Sequence, residues 1–166
     1  MNFLLIGNAI SMVGCLIMVL IGFLRKKNQI LIAQCVQCLF MGVGNLTLGG
    51  ISGFICNIVT ILRNVVFMRF KNTTFLKVSF VLLQFFLSIG TLRAGIINWL
   101  PLTATVLFTW CMDTKSAAKL KICLLCTQVM WLTYDLYYYN YVASAFDAMT
   151  MVSTCIGLYM VCKKKN

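Results

Sequence analysis

Two aspartates, Asp135 and Asp147, stand twelve positions apart inside strongly apolar sequence. A carboxyl group in hydrocarbon is costly and marks a buried pair, a polar pathway or a proton relay. Asp135 precedes the end of one apolar run by a few residues, and Asp147 follows the start of the next by a similar number. If those runs are antiparallel helices, the two carboxyls lie at similar depth and could take up and release a proton together. The competing reading leaves one exposed near an interface and the other hydrogen-bonded to a tyrosine or threonine.

Other polar side chains recur at helical spacing. Gln34, Gln37, Met41 and Asn45 form one stripe. Ser52, Cys56, Thr60 and Arg63 form a second, with Asn57 and Asn64 beside it. Gln128, Trp131, Asp135 and Tyr138 form a third, and Ser144, Asp147, Thr150 and Thr154 a fourth. Interhelical hydrogen bonding, worth about 0.6 kcal/mol per contact in membranes, accounts for most Ser and Thr. It accounts less well for two aspartates, an arginine and several amides on related stripes, which suit the lining of a solute site. Arg63 is read as structural or anion-pairing, by snorkelling to a headgroup, by joining a carboxylate or by holding a bound anion. The chain has no histidine, so the commonest general base and metal ligand is missing. Two Cys-x-x-Cys pairs, Cys35/Cys38 and Cys123/Cys126, have a zinc-like spacing but lie in apolar runs. They are read as small structural residues; neither a metal nor a cofactor is expected.

The elements that must position these groups follow from composition. The chain has 166 residues, 61% apolar and 10% charged, against about 25% charged in a soluble domain. This excludes an ordinary soluble enzyme domain, a disordered chain and a disulfide scaffold. Seven apolar runs are legible, at about 3–24, 29–48, 51–70, 75–92, 96–112, 120–139 and 142–162. At roughly 20 residues per membrane span, seven spans leave only short loops, so sequential helices are antiparallel. The first run resembles a signal peptide in place only: its cations Arg25, Lys26 and Lys27 follow it rather than precede it.

Fourteen Lys and Arg against three Asp give a net charge of +11. The cations cluster between apolar runs, which favours a lipid bilayer over nucleic acid as partner. Twelve of them fall at one end of the seven runs: Arg25, Lys26, Lys27; Arg69, Lys71, Lys77; Lys115, Lys119, Lys121; and Lys163, Lys164, Lys165. Arg93 alone falls at the other end. The positive-inside rule then predicts an outside N-terminus and a cytoplasmic C-terminus.

A weak internal repeat accompanies this topology. A shift of 90 sets Asn45 on Asp135, Asn57 on Asp147 and Thr60 on Thr150, whereas a shift of 91 sets Cys35 on Cys126 and Gln37 on Gln128. A one-residue gap in the second helix would reconcile the two. The predicted fold is an all-α polytopic membrane protein of seven transmembrane helices: two parallel triple-helix bundles, 1–72 and 96–166, joined by a linker helix within 73–95.

The stretch Gln37 through Asn64, with Gly50-Ile51-Ser52-Gly53, Asn57 and Arg63-Asn64, resembles the bacterial inner-membrane protein family YgjV. So do Asn98-Trp99-Leu100-Pro101-Leu102, Thr109-Trp110 and the last two helices. The likeness covers nearly the whole chain and implies a place in the bacterial inner membrane. It also implies kinship with SWEET sugar transporters and their three-plus-one-plus-three helices. There, an aromatic residue on the second helix of a bundle and an Asn on the third embrace the solute. The similar positions are Phe40 or Met41 with Asn57, and Trp131 with Asp147. The chain departs in carrying Asp147 for one Asn and in having Pro101 as its single proline.

The expected function is an integral membrane carrier or facilitator of a small polar solute, with SWEET-like alternating access and the aspartates as the place for proton coupling. Its candidate solute residues are Phe40, Asn45, Asn57, Thr60, Trp131, Asp135, Asp147 and Thr150. Homo-oligomerisation is left open. One alternative is a non-transporting structural or accessory protein. Another is an intramembrane aspartyl hydrolase, for which Tyr134-Asp135 fits half a signature. The other half, Gly-x-Gly before the second Asp, is absent, because Ala143-Ser144-Ala145-Phe146 precedes Asp147. No enzyme activity is expected.

Overall fold

Seven α-helices and no strand occur among the described residues of the computed structural model, which are 2–21, 27–70, 73–93, 95–111 and 117–163. They are α1 (Phe3–Ile21), α2 (Lys27–Thr47), α3 (Ile51–Arg69), α4 (Thr74–Leu92), α5 (Trp99–Cys111), α6 (Ala117–Tyr137) and α7 (Tyr141–Lys163). A 3₁₀ turn, Ile96–Asn98, leads into α5. Pro101 is the third residue of α5, where its missing N–H costs no helical bond. Lys77, Lys119 and Lys121, expected in loops, lie in the first turns of α4 and α6. Arg25, Lys26, Lys71, Lys115, Lys164 and Lys165 lie outside the described residues.

Stretches of α1, α3 and α4, namely Phe3–Leu20, Ile51–Arg69 and Thr74–Leu92, are long and apolar enough to cross a bilayer. Leu31–Thr47, Ile96–Cys111 and Tyr141–Ile156 are shorter apolar helices. In α2, α6 and α7 the amides and carboxyls of the polar stripes interrupt the apolar run.

Six helices form a ring. α1 packs on α2, α2 on α3, α3 on α5, α5 on α6, α6 on α7, and α7 closes back on α1. α4 stands outside, against α3 and α5. The outer surface is apolar: Phe75, Phe86 and Ile96 are 78%, 73% and 83% exposed. The inside is polar, with Asn45, Gln84, Asp135 and Asn140 all buried. Each large apolar side chain held in water forfeits roughly 1.5–3 kcal/mol. Dozens face outwards, so the fold suits lipid rather than water.

One end of the ring, made by the start of α1 and the α2–α3 and α6–α7 turns, is tied together by side chains. Asn8 donates its amide to the carbonyl of Tyr139 and accepts the Val142 N–H, at 2.9 and 3.0 Å. Tyr134 on α6 is fully buried, and its hydroxyl accepts the N–H of Gly53 at 2.8 Å. The first turns of α3 and α7 therefore have an otherwise orphaned N–H satisfied from another helix. Gly50-Ile51-Ser52-Gly53 owes its glycines to this contact. A Cβ at Gly50 would come 2.7 Å from the Tyr134 hydroxyl, and one at Gly53 would come 2.7 Å from the tyrosine ring.

The two turns repeat at 90 residues. Gly50 N–H bonds the Asn45 carbonyl, and Asn140 N–H bonds the Asp135 carbonyl. Gly49 and Tyr139 both adopt positive φ, +87° and +58°. The last residues of α2 and α6, Thr47 and Tyr137, coincide at a shift of 90. At that shift Gln37 corresponds to Thr127 and Cys38 to Gln128. Cys35 and Cys123 point their thiols at carbonyls of neighbouring helices, Ile61 at 3.9 Å and Leu107 at 3.7 Å.

Candidate functional site

The ring encloses a cavity of about 280 Å³ whose walls come from α1, α2, α3, α5, α6 and α7. α4 contributes nothing to it. Each polar stripe turns one face inwards because the opposite face of its helix is packed or lipid-like. On α3 the inward residues are Asn57, Thr60 and Arg63, and on α6 Thr127, Gln128, Trp131 and Asp135. Those spacings of three and four are one helical face.

At the level of the seventh residue of α3 and of α7 stand Asn57 and Asp147. Asn57 donates back to the Gly53 carbonyl at 2.9 Å. Asp135 and Asp147 line the same part of the cavity, as neighbours on α6 and α7. Two carboxyls so placed can hold one proton between them. Asn140 approaches Asp135 Oδ1 at 3.5 Å, whereas Asp147 Oδ2 is buried with no partner among the described residues. Cys15 on α1 lines the same cavity, its thiol 3.9 Å from Met41 Sδ. Trp131 packs edge-on against Tyr134, with ring centroids 5.9 Å apart, and forms a wall of the same chamber.

Toward the other end the lining changes to Gln34, Gln37, Arg63, Thr105 and Phe108. Arg63 is 4% exposed, so its side chain turns into the protein rather than snorkelling to a surface. One guanidinium nitrogen donates to Thr109 at 2.7 Å, and the group lies 5.8 Å from the Phe108 ring centroid. Its Nε has no partner among the described residues.

Of the residues singled out in the sequence, Asn57, Thr60, Arg63, Trp131, Asp135 and Asp147 come together on the cavity. Three do not. Phe40 is half-buried off the lining, and Met41 takes the inward position instead. Asn45 is fully buried beyond the cavity, accepting the Asn140 amide at 3.0 Å. Thr150 returns its hydroxyl to the Phe146 carbonyl at 2.8 Å. Sequence reasoning missed Met18 and Phe108, since an inward apolar side chain leaves no trace in an apolar run. It also missed Asn98, which accepts from Ser52 and Tyr138 at 3.1 and 2.9 Å. Two polar residues facing the Asn98 segment at the same end were the available signal.

The chain matches the family model Imp-YgjV, described as a bacterial inner membrane protein, over residues 5–165. The chain belongs to this family. It is a membrane protein of apolar helices, so the cavity between those helices is a polar space inside a bilayer protein. No curated protein and no solved structure matches the chain.

Proposed function

We propose that the protein is a carrier or facilitator of a small polar solute that binds in the central cavity. The observation that carries this reading is the cavity itself: about 280 Å³, lined by amides, carboxyls and a guanidinium. Its size lies near the lower end of the range for small-molecule sites. Mere gluing of helices calls for polar pairs, not for a chamber that six helices share.

In this reading all seven helices span the bilayer, and α1–α3 and α5–α7 are the two triple-helix bundles, with α4 as linker. The 90-residue recurrence of the turns supports that division. Alternating access then rocks one bundle against the other around the solute. The bonded turn end supports a state closed on that side, and the positive-inside rule makes that side the outside. The carboxyl pair supplies the site for a coupled proton. Solute-driven counterflow in liposomes containing the purified protein is the test. Counterflow that is absent for every polar solute tried, with folded protein in the membrane, overturns it.

The carboxyl pair is also what an aspartyl hydrolase needs. Against that reading, Asp135 and Asp147 are only 1% and 8% exposed, leaving little access for attacking water. Cleavage of a transmembrane peptide by the purified protein would favour it.

A further inference from the structure

Arg63 carries a permanent charge, is 4% exposed and lines the cavity. A buried cation is normally paired, because leaving it alone costs several kcal/mol. Among the described residues no carboxylate pairs with it; its contacts are the Thr109 hydroxyl, the Phe108 ring and the nearby Cys38 thiol. The sequence holds only three acidic residues. Asp135 and Asp147 are neighbours on α6 and α7, and Asp113 lies outside the described residues.

Further donors stand beside Arg63 on the same wall. The Gln34 side-chain oxygen is already taken by Asn64 at 3.2 Å, which leaves its amide N–H groups to donate. Gln37 lines the same wall. The unpartnered Arg63 Nε adds a further donor. Donors converging with one buried positive charge select a singly charged, planar acceptor, which guanidinium forks match best. A phosphate dianion would need a second cation, and among the described residues none other lines the cavity. Across the cavity, the buried and unpartnered Asp147 Oδ2 is an acceptor awaiting a donor. Asn57 marks the level of Asp147 on α3, six residues from Arg63, a helical rise of about 9 Å.

We infer that the solute is a small carboxylate with a hydrogen-bond donor at its far end, such as an amino or hydroxy acid, its carboxylate held by Arg63. This inference rests on the solute-carrier reading and names the class of solute for that same cavity.

The test is thermal unfolding of the detergent-purified protein with four probes: 4-aminobutyrate, 4-hydroxybutyrate, inorganic phosphate and glucose. A ligand of the native state raises its apparent stability with concentration. The two carboxylates should raise the Tm of the wild type, and phosphate and glucose should not. Arg63→Gln should weaken the carboxylate effect by more than about tenfold. If that variant does not fold, Arg63→Lys keeps the charge but loses the fork, and should give the same ranking at reduced affinity. Asp113→Asn should respond like the wild type. Three results overturn the inference: an undiminished response without the Arg63 fork, a stronger response to phosphate than to carboxylates, or a carboxylate response that appears only in Asp113→Asn. A response to glucose alone removes the carboxylate and leaves the solute cavity standing. No response to any probe by the folded wild type overturns the carboxylate, and counterflow then decides the carrier reading separately.

Discussion

Asn140 donates its side-chain amide to Asn45 Oδ1 at 3.0 Å, joining the α6–α7 turn to the end of α2 across 95 positions of sequence. Both residues are fully buried. The same Asn140 side chain reaches Ala143 N–H at 3.4 Å, as an N-cap of α7. Asn45 has no other side-chain partner among the described residues, since its amide nitrogen is unsatisfied.

Replacing Asn140 with Ala should therefore be costly. It orphans Asn45 Oδ1 and removes a cap, and a buried group left unsatisfied costs about 1–3 kcal/mol. The expected outcome is a lower unfolding midpoint in detergent. A stability equal to wild type would mean that water already serves both groups.

The proposed alternating access makes a kinetic demand on the same contact. If the turn end opens, Asn45 and Asn140 separate. An N45C/N140C pair in a variant lacking the native cysteines should lose counterflow on oxidation and regain it on reduction. Full counterflow through the cross-linked protein would exclude opening at that end.

A third expectation concerns the α1–α2 seam. A Cβ at Gly44 would clash with Ser11 Oγ and lie 3.1 Å from the Gly7 carbonyl. Gly44→Ala must wedge the helices apart, at a typical overpacking cost of about 1–3 kcal/mol. Adding Ser11→Gly should recover part of the loss, because the closest obstacle is a side chain and the next is backbone. Equal midpoints for Gly44→Ala and wild type would show that the seam relaxes freely.

Much of this architecture was legible because the bilayer imposes simple rules. Apolar runs gave seven helices to within a few residues, and Asp135 and Asp147 were placed at equal depth by position in antiparallel helices alone. Periodicity also found the inward faces of α3 and α6. It stopped short where two residues of a stripe share a face but not a partner. Asn45 and Asp135 occupy equivalent positions, yet one seals a turn and the other lies beside Asp147. Phe40 was preferred as an aromatic, but one position along a helix rotates a side chain by about 100°, and Met41 holds the inward place. Packing partners such as Tyr134 with Gly50 and Gly53 were hidden because close approach depends on the tertiary crossing, not on either segment.

Orientation is a prediction from charge. A reporter fused to the C-terminus should be active only if it is a cytoplasmic reporter, and one fused before Phe3 only if it is a periplasmic reporter. The reverse pattern would place the sealed turn end in the cytoplasm and reverse the direction of access.

The last expectation concerns the neighbouring carboxyls of Asp135 and Asp147. A carboxyl pair can hydrogen-bond only through a proton, but an Asn in either place brings an N–H of its own. Asp147→Asn should therefore keep the fold and the unfolding midpoint, while making counterflow independent of pH. The 90-residue correspondence gives a reason for tolerance, because the position equivalent to Asp147 is already Asn57. Asp135→Asn should act in the same way, and the double variant should add little to either single one, since both remove one shared proton. Counterflow by Asp147→Asn with the wild-type pH profile would take the pair out of the coupling step. Loss of folded protein in Asp147→Asn, with Asp135→Asn intact, would instead mark Asp147 as a structural acceptor. The unpartnered Oδ2 argues against that outcome, because a purely structural carboxyl at this depth should have both oxygens satisfied.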